Sequence, residues 1–338
     1  MTRGNRKTME LPKLIVFDMD GVIIDVSRSY RETARKAARL FFHGAKGFEN
    51  LPDPLFSLAD LAALKQTGGL NNDWDLSSQA ISLLFALVKA PADPSAPGHR
   101  PGHEKTIQGC DVSNLADFLK SSPGPLMDLW ARYGRRREPF VAERYQGDVG
   151  DGNVIKRIFQ EIYLGESLFP AIYDLKPIFW QEEGLINQES LLIDRAILKD
   201  LSRKHILAIA TGRPRVEADY PLDRFAVREY FRLVVTLDDC VREEERIFME
   251  RGERISLSKP NPFMLDLISL LIGEEFSGCY YLGDMPDDML AAGSSKTGYR
   301  GVGVLLSSPD REGLRKALLQ AGADCIVDDY SALPGIIG

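Results

Sequence analysis

The chain has 338 residues, 44% hydrophobic and 27% charged, with a formal net charge of −7. That length suits about two domains and a sizeable buried core, so neither disulfides nor a structural metal is needed to hold the fold. The acidic balance argues against nucleic acid as the main partner, because binding a phosphate backbone needs a basic face. The cysteines Cys110, Cys240, Cys279 and Cys325 form no CxxC pair. They argue against structural zinc and a secreted disulfide scaffold and fit a reducing, cytoplasmic setting. No run approaches the about 18 consecutive apolar residues of a membrane span. The polar, basic segment Met1–Lys13 has no apolar stretch, so no signal peptide is expected.

In chain order, Lys13–Phe17 is an almost wholly apolar run, expected to be a strand buried on both faces. Asp18-Met19-Asp20-Gly21 follows at its C-terminal end. Ser27 is the expected N-cap of a helix over Arg28–Phe42. From there to residue 189 the apolar spacing is helical, in Ser57–Lys65, Ser78–Val88, Leu115–Lys120 and Val154–Tyr163. Ala90–His103, rich in Pro, Gly and Ala, is expected to be an exposed loop. Arg135-Arg136-Arg137, bounded by Glu138 and Pro139, is expected to be a solvated turn. Gln146–Asn153 carries a glycine-rich string without the Gly-Lys-Ser/Thr of a P-loop, and is expected to be turn chemistry ahead of a helix.

After Leu191 the pattern alternates. Helices are expected over Leu191–Arg203, Pro262–Leu271, Asp287–Ala292 and Glu312–Gln320. Strands are expected over His205–Ala210, Leu233–Thr236, Cys279–Leu282 and Gly301–Leu305. Alternation of this kind implies an α/β, Rossmann-like, doubly wound parallel sheet. The expected core is residues 1–26 plus 190–338, with a large, mainly helical cap (27–189) inserted after the first strand. Open parallel sheets bind ligands in the crevice at the carboxyl ends of their strands, where such an insertion can act as a lid.

The chemically loaded residues recur at one kind of place. Asp18 with Asp20, Thr211, and Asp284 with Asp287 and Asp288 each follow a buried apolar run. Ser258-Lys259-Pro260 opens a helix. Any one of these is ordinarily a helix cap. Together they place several carboxylates, a hydroxyl and an ammonium around one crevice. Clustered acids repel unless a cation neutralises them. Hard oxygen ligands without nearby His or Cys select Mg²⁺.

These residues also carry a family resemblance. Asp18-Met19-Asp20-Gly21-Val22 resembles the first motif of the haloacid dehalogenase-like hydrolases. Thr211 in Ala-Thr-Gly-Arg-Pro resembles the second, Lys259-Pro260 the third, and Gly283-Asp284-Met285-Pro286-Asp287-Asp288 the fourth, in the family's order. The insertion resembles the helical cap of subfamily I, although residues 90–150 exceed its usual length. The resemblance implies that Asp18 attacks phosphorus to form an aspartyl phosphate and that Asp20 is the general acid and base. It implies that Thr211 and Lys259 bind the phosphoryl group. It further implies that Mg²⁺ is held by the Asp18 carboxylate, the Asp20 main-chain carbonyl and Asp284, with Asp288 anchoring a metal-bound water or Lys259. Asp287 is adjacent and could substitute for Asp288. The presence of both Asp20 and Asp284 argues against a dehalogenase.

The expected activity is a Mg²⁺-dependent phosphatase acting on a small phosphorylated metabolite. The alternatives are a phosphomutase sharing the same phosphoenzyme and a non-catalytic protein that keeps the fold. The expected substrate-binding set is Thr211, Gly212, Arg213, Lys259, Asn72 and Trp74. Arg213 could equally be an arginine paired with a nearby acid, and Asn71, Asn72 and Trp74 could be an ordinary turn. Ser27, Arg28 and Arg31, at the start of the first cap helix, fit capping and salt bridges. Nothing in the sequence marks an oligomer interface or the substrate.

Overall fold

A computed structural model describes residues 11–68, 70, 72–91 and 102–337. The chain divides into two compact units, one of Met1–Asp25 with Leu191–Gly338 and the other of Val26–Ser190. Asn71 and most of the expected Ala90–His103 loop lie outside the described residues. Among the described residues no helix is long and apolar enough to cross a membrane.

The strands are β1 (Leu14–Phe17), β2 (Ile24–Asp25), β3 (Ser190–Leu191), β4 (Ile206–Ala210), β5 (Leu233–Val235), β6 (Cys279–Gly283), β7 (Arg300–Val304) and β8 (Cys325–Val327). The first unit is built on a six-stranded sheet in the order β5-β4-β1-β6-β7-β8, all its pairs parallel. Every residue of β1 is fully buried, as its unbroken apolar run requires for a strand covered on both faces. One covering layer comes from the helix Phe263–Ile272, whose Met264, Leu265 and Ile268 pack with Leu14, Val16, Ala208 and Tyr281.

The strand order creates a topological switch point. The chain passes from β1 outward through β4 and β5, then returns to the other side of β1 and continues outward through β6, β7 and β8. Adjacent strands whose connections leave in opposite directions open a crevice beyond their carboxyl ends. Here those strands are β1 and β6, with Phe17 level with Leu282. Asp18 and Asp284 therefore emerge side by side.

The helices Arg215–Arg224 and Leu237–Arg251 and the strand β8 are among the elements of this unit that lie outside the expected pattern. Leu237–Arg251 is a helix of 15 residues with only Cys240 buried. Its charged sequence shows little apolar periodicity, and a Thr236–Asp239 capping box stabilises its start. β8 is three residues long and lies at the end of the sheet. The expected helix over Leu191–Arg203 begins later, at Arg195, because Asp194 caps it by accepting from Ala196 N.

The second unit is mainly helical. Its first helix is Tyr30–Leu40, and its N-cap position is Ser29, not the expected Ser27. The Ser29 hydroxyl instead donates to Glu189 at 2.9 Å, a buried carboxylate that also accepts from Tyr163 at 3.0 Å. Tyr30 stacks on Tyr163 with ring centroids 4.1 Å apart. The segment that exceeds the usual cap length holds the helices His103–Gln108, Ser113–Ser121, Pro125–Tyr133 and Pro139–Glu143. Proline opens the last two, where its fixed φ and missing N–H suit the first helical turn. Gln146–Asn153 is turn structure, and Asn153 caps the helix Val154–Tyr173.

Asn72 caps the helix Asp73–Phe85. Its Oδ1 accepts from Asp75 N at 2.7 Å, and its Nδ2 donates to the Asp75 carboxylate at 2.7 Å. Trp74 is buried, donates to Gln160 at 3.3 Å, and lies under the Lys156 ammonium, 4.4 Å from the ring centroid. Both side chains thus have partners inside this unit. Asn72→Ala is expected to cost about 1 kcal/mol of stability through the lost cap. Thermal melts with parallel activity assays check this. A fall in activity far beyond the unfolded fraction would assign Asn72 to substrate binding as well.

Candidate active site

The site sits at the switch point of the first unit. Asp18 is the first residue after β1, and its N–H donates to Leu282 O at 2.8 Å, which ties the turn to β6. Thr211 follows β4, its N–H bonded to Val235 O at 3.0 Å. Asp284 follows β6, and Asp288 lies in the first turn of the helix Pro286–Ser294. Lys259 reaches the cluster from the segment just before the helix Phe263–Ile272.

Two glycines make room for this arrangement. Gly21 has φ +74°, and a Cβ there would lie 2.0 Å from Asp284 Oδ2. Gly283 has no such angle, but its Cβ would lie 2.2 Å from Asp288 Cβ. Gly21→Ala therefore meets both backbone strain and a clash with a site carboxylate. It is expected to displace Asp284 and raise the metal concentration needed for half-maximal activity by about tenfold or more, the order reported for perturbed ligand supports. A metal titration of the variant checks this, and an unchanged midpoint would refute it.

Lys259 Nζ lies 2.7 Å from Asp18 Oδ1 and 2.8 Å from Asp288 Oδ1. Asp288 Oδ1 also accepts from Tyr281 OH at 2.9 Å, and its Oδ2 accepts from Met285 N at 3.0 Å. Both Asp288 oxygens are thus engaged. Tyr281 is fully buried on β6, and Lys259 stands 5.3 Å from its ring centroid. Sequence reasoning missed this tyrosine, because within an apolar strand it reads as core.

Burial pushes the Asp18 carboxyl up to about 8. Lys259 opposes that shift, while Asp288, Asp20 and Asp284 reinforce it. Burial works against the charge on Lys259, but Asp18 and Asp288 outweigh it and hold the ammonium well above the usual lysine range. Burial thus disfavours the charge on Asp18 first, and the neighbouring carboxylates add to that while favouring the charge on Lys259. Carboxylate oxygens of Asp18, Asp284 and Asp288 all lie within 4.8 Å of one another. Three buried carboxylates at that spacing suit a hard divalent cation with oxygen ligands.

Asp20 occupies a different environment. Its side chain is 27% exposed, and its Oδ1 receives both Arg213 Nε, at 2.7 Å, and Arg213 Nη2, at 2.6 Å. Arg213 is buried and also donates from Nη1 to Glu217 O at 3.1 Å. Arg213 makes the pairing with a nearby acid that the sequence left open beside a substrate contact. A buried guanidinium must be paired, and Asp20 and the Glu217 carbonyl supply partners. Thr211 Oγ1 accepts from Arg213 N at 3.2 Å. Gly212 faces open space, with nothing within 4 Å of where a Cβ would stand. Asp18, Lys259, Asp284 and Asp288 thus form one cluster, Asp20 and Arg213 a pair beside Thr211, and Asn72 and Trp74 belong to the second unit.

This geometry coincides with a family match. A model of the haloacid dehalogenase-like hydrolases matches residues 12–295. The chain belongs to the haloacid dehalogenase-like hydrolases. Solved structures share the hydrolase's fold. A Northeast Structural Genomics Consortium target superposes with a TM-score of 0.61 at 19% identity, over 97% of this chain and 98% of that one. The phosphatase Tt82 from Thermococcus thioreducens gives 0.50 at 20% identity, over 90% and 99%. Among curated proteins, an imidazoleglycerol-phosphate dehydratase from Phytophthora nicotianae is 22% identical over 293 residues, 86% of this chain and 43% of the relative. The hydrolase thus spans under half the length of that relative.

Proposed function

We propose that the hydrolase is a phosphatase of small phosphomonoesters that works through an aspartyl phosphate on Asp18. One observation carries this reading above the others. Two carboxyl groups two residues apart lie in opposite surroundings, Asp18 buried against Lys259 and Asp20 part-exposed on Arg213. Carboxyls with separated environments take separate roles.

In the first step an Asp18 oxygen forms a bond to phosphorus as the bond from phosphorus to the ester oxygen breaks. Asp20 delivers a proton to the departing oxygen. In the second step water attacks phosphorus and gives its proton to Asp20. The bond to Asp18 breaks, and inorganic phosphate and the starting carboxyl groups are restored. Lys259 holds Asp18 in line and offsets the repulsion between carboxylate and phosphoryl group. The Thr211 hydroxyl and the open main chain at Gly212 fit phosphoryl oxygens. Asp18 and Asp284, with the Asp20 carbonyl, would hold Mg²⁺, and Asp288 would act from behind through Lys259 or a bound water. When bound, Mg²⁺ neutralises charge on the phosphoryl oxygens. The four free thiols fit a cytoplasmic enzyme.

The partial match to a protein named for an imidazole-bearing glycerol phosphate suggests the first esters to try. The test is phosphate release from an aryl phosphate and a metabolite panel headed by imidazolyl alkyl phosphates, with Mg²⁺ and with chelator. Release that requires the metal supports the phosphatase. Isomerisation of a sugar phosphate without release would make it a mutase. No turnover of any ester would leave a non-catalytic member of the fold.

A further inference from the structure

We propose that Arg213 is the positioning residue for Asp20: it fixes the carboxyl so that Oδ2 alone faces the leaving oxygen. The inference rests on the acid and base role given to Asp20 above. A carboxyl that must both give and take a proton works well only if one oxygen is presented reproducibly. The Asp20 side chain is part-exposed, so packing alone does little to fix its torsions.

The hydrolase solves this from below. Arg213 is 2% exposed, while the Asp20 side chain is 27% exposed. The arginine is therefore the anchored partner and the aspartate the working one. Both guanidinium nitrogens converge on the same oxygen, Oδ1. Oδ2 takes no hydrogen bond among the described residues, so it remains for the ester oxygen and the water. The guanidinium is fixed in turn by Nη1 on Glu217 O at 3.1 Å, and its main chain by Arg213 N on Thr211 Oγ1 at 3.2 Å. Arg213 also accepts from Leu237 N through its carbonyl at 3.0 Å. One residue thus ties together the Thr211 turn, the helix Arg215–Arg224 through Glu217, the start of the helix Leu237–Arg251 and the Asp20 carboxyl. A lysine could supply the charge at this position but not the planar fork.

Leaving-group dependence separates positioning from a general structural role. An aryl phosphate with an acidic phenol departs without a proton, whereas an alkyl phosphate needs one. The full chain is compared with Arg213→Gln, Arg213→Lys and Asp20→Asn on both esters, with thermal melts confirming that each variant is folded. Arg213→Gln is expected to lower kcat/KM for the alkyl ester about 10²-fold, the cost of a small misplacement, and for the aryl ester by less than about fivefold. Arg213→Lys should fall between wild type and Arg213→Gln on the alkyl ester, and it carries the test if the glutamine variant does not fold.

Equal losses on both esters, or no loss on either, would overturn the positioning role. Asp20→Asn reports on the underlying assignment. If it discriminates between the esters and the Arg213 variants do not, only the inference about Arg213 fails. If it does not discriminate, the role of Asp20 fails and the inference with it.

Discussion

Asp18→Asn is expected to lower phosphate release by about 10³-fold or more while leaving the hydrolase folded. Removal of a covalent nucleophile typically costs that much or more, because the remaining groups can no longer act as a unit. The substitution is nearly isosteric and fixes the buried group in a neutral form. Burial already pushes Asp18 up to about 8, so the neutral amide relieves desolvation and the repulsion from Asp288, Asp20 and Asp284. The thermal midpoint of the metal-free variant should therefore hold or rise even as activity disappears. Stability and activity moving in opposite directions is the signature of a site residue. A parallel loss of both would mark Asp18 as structural.

Lys259→Met is expected to cost both. The ammonium is the one cation within hydrogen-bonding reach of Asp18 and Asp288 in the described cluster. Removing one partner of a buried ion pair leaves the other charge uncompensated, at about 3–5 kcal/mol. The metal-free variant should melt markedly lower than wild type. Added Mg²⁺ should restore much of that loss, because a cation that binds the native state stabilises it by mass action. Activity should remain about 10²-fold or more below wild type even with saturating metal, because loss of a single well-placed electrostatic donor carries a cost of that order. Calorimetry with and without Mg²⁺, alongside turnover, separates the two effects. A variant as stable as wild type without metal would mean that the cluster is not charge-starved.

The site was legible in the sequence to the extent that its residues sit at ends of apolar strands. Asp18, Thr211 and Asp284 each follow such a run, and the parallel sheet brings those ends together without further information. Lys259 was the weakest member of that set, since a lysine before a helix ordinarily reads as a surface residue, and its role came from the resemblance to a family motif. Tyr281 was hidden because a buried strand residue gives no sign that its hydroxyl points at a carboxylate. That Arg213 pairs with a nearby acid was one of two readings the sequence left open, but that the acid is Asp20 could not be read. It depends on the depth of Arg213, which is a property of packing and not of spacing.

The fold shows the same division. Strands β1, β4, β5, β6 and β7 stood out as short apolar runs, whereas the two-residue β2 and β3 did not. Leu237–Arg251 did not, because a charged helix with a single buried residue has almost no periodic signal. Residues 102–150 gave only one expected helix, Leu115–Lys120. Pro125 and Pro139 each open a short helix there that the sequence reading did not expect. Ser27 was the expected N-cap of the first helix of the second unit, but the cap position lies two residues later, at Ser29, whose hydroxyl makes no capping bond and goes to Glu189 instead.

The most direct test of the central claim is mass spectrometry of the hydrolase quenched with acid during turnover of an aryl phosphate, with the peptides mapped after digestion. The account predicts a phosphoryl group on the peptide that carries Asp18, dependent on Mg²⁺ and absent from Asp18→Asn. Steady turnover with no adduct on that peptide, or with an adduct on a different residue, would contradict it.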